Sequence, residues 1–139
     1  MCGVDEPWNR SEDMSSAEYE DFVSEMHAHV YEQAPLFEIP LAVVDRLDTD
    51  DVRHGPWPPE ACAAVLSRWH RAGLLGLYRY ISTRRNGPDL SSSEVTDLLA
   101  HPERWVRSED WTEVAALVVT DLGVATPWSE WQAHATRTR

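Results

Sequence analysis

The sequence predicts an α+β fold: a helix-rich single domain with a small antiparallel sheet. Three observations predict it. Two capping boxes, Ser15 with Glu18 and Ser91 with Glu94, each precede apolar residues at helical spacing. Two stretches rich in aromatic and branched residues, Leu74 to Ile81 and Trp111 to Thr120, read as strands. A chain of 139 residues with seven tryptophans is long and aromatic enough for one domain with a real core.

The elements follow in order. Residues 1–14 read as a loose acidic tail carrying Trp8. The first helix starts at the Ser15 box, and Tyr19, Phe22, Val23, Met26 and Val30 place its apolar face; Ala34-Pro35 ends it. Leu36 to Ile39 reads as a short extended segment. Pro40 fits the first turn of a second helix, with Leu41, Val44 and Leu47 inward and Asp48 to Asp51 as a polar loop. A third helix begins near Glu60. Cys62, Val65, Leu66 and Trp69 form its inner side, Ala64, Ser67, Arg68 and Arg71 its outer side, and Gly73 its C-terminal cap.

Leu74 to Ile81 is the first long strand, and Ser82 to Asp89 a turn around Asn86-Gly87-Pro88. The fourth helix follows Ser91, with Leu90 and Val95 in the two positions of a hydrophobic staple. Trp111 to Thr120 is apolar on both sides, which predicts a strand covered on both faces. Asp121 to Gly123 reads as a turn. Thr126-Pro127 opens a short last helix bearing Trp128 and Trp131, so residues 126–139 form a C-terminal helix and tail.

Charge is distributed unevenly. Of 24 acids, none lies between Ala61 and Pro88, where composition alone places about five. That stretch holds Arg68, Arg71, Arg79, Arg84 and Arg85. The whole chain has a net charge of −12 and a pI near 4.7, which disfavours non-specific attraction to nucleic acid and favours basic partners. No apolar run approaches the roughly 20 residues of a membrane span, and Met1 to Arg10 lacks the apolar centre of a signal peptide. Two cysteines, Cys2 and Cys62, make no disulfide framework, so a reducing cytoplasm is expected.

The order helix, short strand, helix, helix, strand, turn and strand resembles a winged helix-turn-helix over about residues 15–125. The local match is Ala61–Ile81, ACAAVLSRWHRAGLLGLYRYI, with Val118–Gly123, VVTDLG, like the last wing strand and its turn. The resemblance implies a recognition-helix face of Ser67, Arg68 and Arg71, with Arg84 and Arg85 at the wing. The chain departs from it in its acidity and in the helix at Ser91–Ala100.

Metal and catalytic patterns are not predicted. His27 and His29 are two apart and point to different sides of a helix. A calcium loop starting at Asp48 needs glycine where Arg53 stands and glutamate where Pro59 stands. Cys62 falls on an inner helix face with no partner histidine indicated. No cofactor and no catalytic residue is expected. The expected function is that of a small acidic binding protein for a basic protein partner, of inhibitor, immunity or escort type. Immunity proteins against nuclease toxins resemble it in size and charge. Glu18, Glu25, Glu32, Asp48, Asp50 and Asp51 would steer the partner, and Trp57, Trp128 and Trp131 would anchor it. The alternative is a DNA-binding regulator using the arginine face.

Overall fold

Ser15 caps helix α1 (Ser16–Tyr31) in the computed structural model, which describes residues 14–48, 50–81, 84–106 and 114–136, with residues 80, 81, 84–88 and 114 described by their backbone. The box is reciprocal. The Ser15 hydroxyl accepts from the Glu18 N–H (3.1 Å), and the Ser15 N–H donates to the Glu18 carboxylate (2.9 Å). At the other end Gln33 takes a left-handed conformation (φ 58°), and the Ala34 N–H reaches back to the His29 carbonyl (3.0 Å). Of the residues expected on the apolar face, Phe22, Val23, Met26 and Val30 are buried and Tyr19 is half-buried.

Between α1 and the next helix the structure departs from expectation. Leu36–Glu38 is a single 3-10 turn rather than an extended segment. The second helix expected from Pro40 to Leu47 is a hairpin, β1 (Val43–Arg46) and β2 (Asp51–His54), paired from Val43 opposite His54 to Arg46 opposite Asp51. Adjacent branched residues Val43 and Val44 suit a strand. The base of the hairpin is closed from outside, since the Trp57 N–H donates to the Pro40 carbonyl (2.9 Å) and His54 bonds to Asp21 on α1. These long-range bonds override the weak local helix pattern.

Helix α2 (Pro59–Arg71) matches its expected start and inner face: Cys62, Val65, Leu66 and Trp69 are at most 1% exposed. Gly73 (φ 84°) ends it, with its own N–H on the His70 carbonyl and the Leu74 N–H on that of Trp69. Strand β3 (Leu75–Ile81) is the centre of a three-stranded antiparallel sheet, between β4 (Arg84–Asp89) and β5 (Val114–Val119). The expected turn at Ser82–Asp89 is thus mostly a strand, because β3 offers it a free edge. Of the expected strand from Trp111, residues 114–119 form β5, and 107–113, Trp111 included, lie outside the described residues. Neighbouring Ala116 and Leu117 are both fully buried, so β5 is covered on both faces.

Helix α3 (Ser92–Leu99) carries the second complete capping box, and Val95 is buried. The expected turn at Asp121 is a short helix, α4 (Asp121–Ala125), capped by the Thr120 hydroxyl accepting from the Gly123 N–H (2.9 Å). Helix α5 (Trp128–Thr136) lies on α2. The protein is a single small α+β domain. The α2–β3 order that carried the winged-helix resemblance is present, but a hairpin stands where its preceding helix was expected.

The tryptophans close the core. The rings of Trp69 and Trp131 meet edge to face at 4.9 Å, and both are 0% exposed. The Trp69 indole donates to the Trp131 carbonyl (2.8 Å), and the Trp131 indole donates to the Thr126 carbonyl (3.2 Å). Gly123 permits this closure. A Cβ there would collide with the Leu74 carbonyl oxygen and lie 2.8 Å from Val119 Cγ2 and 3.1 Å from Trp131. Gly123→Ala is therefore expected to destabilise the fold by about 1–3 kcal/mol, read as a lower urea midpoint.

Candidate protein-docking face

Helical spacing gathers acids on one side of α1. Glu18, Asp21, Glu25 and Glu32 are separated by three, four and seven residues, which puts them on one face, beside buried Phe22. The hairpin packs next to this face and adds Asp45, with Asp48, Asp50 and Asp51 exposed around its turn. His54 joins the two parts. Its Nδ1 lies 2.9 and 2.8 Å from the Asp21 carboxylate oxygens, and its Nε2 lies 3.0 Å from Asp45. The bond to Asp21 raises the His54 pKa above its usual value, with burial opposing. Glu25 shows the local field. Burial pushes its carboxyl up; His54 lowers it, and Asp21, Asp45 and Glu32 push it further up.

The expected anchors are distributed differently. Trp57 is half-buried against Phe22, with ring centroids 5.3 Å apart, and so borders the acidic face. Trp131 belongs to the core and presents no surface. Trp128 is 38% exposed on the other side of α1. There His27 lies 4.6 Å from Trp128, 4.7 Å from Trp131 and 4.8 Å from Tyr31, ring centre to ring centre. Glu18, Glu25, the hairpin acids and Trp57 thus share one side of the molecule, and Trp128 does not join them.

The arginines are divided between two places. The Arg68 guanidinium turns toward α5 and donates to the Ala135 carbonyl (2.9 Å), which also accepts from the Tyr19 hydroxyl (2.9 Å). Ser67, Arg68 and Arg71 together line a shallow groove of about 320 Å³ between α2 and α3. Arg79 lies elsewhere, at a cavity of about 490 Å³ that also borders Glu94, Leu98 and Trp105; there Arg104 is paired with Asp97 (2.8 Å). Arg84 and Arg85 are placed by backbone alone, in β4. Cys62 is fully buried and burial raises its thiol pKa, which removes its nucleophilic character.

No protein-family model matches the chain, and neither a curated protein nor a solved structure matches it.

What sequence reasoning missed is the meeting of Asp21, Glu25, Asp45 and His54. The one local signal was Asp21 and Glu25 four apart on a helix. His54 is 33 residues from Asp21, and only the hairpin brings it back.

Two outcomes are expected. Arg68→Ala removes a charged hydrogen bond to α5 and lowers stability by about 1–3 kcal/mol, whereas exposed Arg71→Ala changes it by less than about 0.5 kcal/mol in the same thermal melt. The second concerns His29. It is 7% exposed, its Nε2 has no hydrogen-bond partner among the described residues, and burial lowers its pKa from 6.5 while Glu32 opposes. A histidine lowered in the folded state takes up its proton more readily on unfolding, so its support is complete above 6.5 and fades as pH falls below it. Between about pH 7 and about pH 5 the wild type should lose more stability than His29→Gln, compared by urea unfolding at each pH.

Proposed function

We propose that the protein is a non-enzymatic binding module that uses the α1–hairpin acidic face to hold a basic protein, as an inhibitor, immunity or escort protein does. The carrying observation is the placement of Glu18, Asp21, Glu25 and Glu32 on one face of α1, with the hairpin setting Asp45 beside it through His54. A surface that concentrates like charge speeds encounter with a partner of opposite sign and rejects acidic ones. Trp57 beside that face supplies apolar contact, and Glu18, Glu32, Asp48, Asp50 and Asp51 are exposed around it. The competing DNA reading has the groove shared by Ser67, Arg68 and Arg71 in its favour, but the Arg68 guanidinium donates to α5 and Arg79 lies at a separate cavity.

The test is recovery of partners by the tagged protein from its native lysate, with and without nuclease, at rising salt. A basic protein should be recovered in equal amount with and without nuclease. The triple change Glu18→Gln, Glu25→Gln and Glu32→Gln should weaken its binding by about tenfold at low salt and less at high salt. Recovery that disappears with nuclease, or binding indifferent to the triple change, overturns the reading.

A further inference from the structure

The acidic face contains a smaller group of donors with a different chemistry. One ligand atom each from Asp21, Glu25 and His54 lies within 4.8 Å of the others. They come from two elements: Asp21 and Glu25 sit one turn apart on α1, and His54 ends β2. We propose that these three residues bind a divalent first-row cation of the zinc type, with Asp45 as the outer partner of the histidine.

The arrangement of the imidazole supports this. Its Nδ1 faces both Asp21 oxygens at 2.8 and 2.9 Å. Its Nε2 faces Asp45 at 3.0 Å. A histidine that ligates metal through one nitrogen nearly always donates its other N–H to a carboxylate or carbonyl, which fixes the ring and its tautomer. Asp45 stands where that acceptor is needed.

Charge points the same way. Three carboxylates gather at one imidazole, so negative charge is in excess there. The Glu25 carboxylate accepts no hydrogen bond among the described residues. A divalent cation would give it a partner and cancel the excess. One nitrogen and two oxygen donors suit zinc, manganese or ferrous iron; calcium and magnesium prefer oxygen alone, and cuprous copper prefers sulfur. The His54 side chain is 16% exposed and that of Asp21 38%, so the group is shielded yet reachable from solvent. The remaining coordination positions fall to water.

This inference does not rest on the docking reading and is tested without a protein partner. The full chain, stripped with a chelator, is titrated with Zn²⁺ by calorimetry and with Co²⁺ by visible absorption. One equivalent of each should bind, and Co²⁺ should develop a ligand-field band. Asp45→Asn should weaken binding by about 10–100-fold, and Glu25→Gln, which removes a direct ligand, by at least about as much. Far-UV circular dichroism checks that each variant is folded. Should a variant unfold, the imidazole nitrogen resonances of the wild type decide. Zn²⁺ should move those of His54 ahead of those of the other five histidines. Absence of saturable binding below millimolar metal, binding unchanged in Glu25→Gln, or resonance shifts centred on another histidine each overturn the proposal.

Discussion

The contact between Trp69 and Trp131 joins the middle of the chain to its last helix. Trp69 lies near the end of α2, and Trp131 comes from the last helix, 62 residues later. Each indole buries a large apolar body and has one N–H to satisfy, and each does so on a backbone carbonyl of the C-terminal segment. The ring contact therefore fixes position as well as burying area. The bare Cα of Gly123 lets α4 pass under Leu74 and leaves room for the Trp131 ring. The shared Ala135 carbonyl, held by Tyr19 and Arg68, secures the far end of α5. Arginine is suited to that place because its long apolar stem can lie along the helices while its fork reaches the carbonyl.

With α2 and α5 locked together, α1 is left with two distinct sides. One, bearing His27 and Tyr31, faces Trp128 and Trp131. The other bears Glu18, Asp21 and Glu25 and meets the hairpin. Gathering acids in this way costs stability, and nothing in the core requires it, since Phe22, Met26 and Val30 are buried regardless of what flanks them. A local arrangement that works against stability is where function is most reasonably sought.

Much of the fold could be read from local chemistry. Capping boxes need only residues three apart, and both formed. The α2 inner face followed from helical periodicity, and Gly73 from the need for a left-handed cap. Elements set by partners distant in sequence could not be read this way. Pro40 to Leu47 has a weak helical pattern, and the hairpin that replaces it is held by Trp57 and by Asp21 on α1. Residues 84–89 look like a turn because of Asn86-Gly87-Pro88, yet β3 has an edge to offer them. The same distinction governs the surface. The acidity of α1 was evident, whereas Trp131 turned inward and Arg68 was taken up by α5 for reasons that only packing supplies.

His54 is the residue on which local and long-range effects converge. The hairpin is short and its side chains are mostly exposed, so it has little buried apolar area to hold it against α1. An imidazole between Asp21 and Asp45 ties β1, β2 and α1 together through polar contacts alone. Replacing those contacts with apolar ones would hold the hairpin as firmly and remove the repulsion around Glu25. The chain instead keeps three carboxylates around one ring, an arrangement whose strength depends on what positive charge is present. Whether that charge is a proton, a metal ion or the side chain of a basic partner, its binding and the seating of the hairpin on α1 are coupled, because both depend on the same carboxylates.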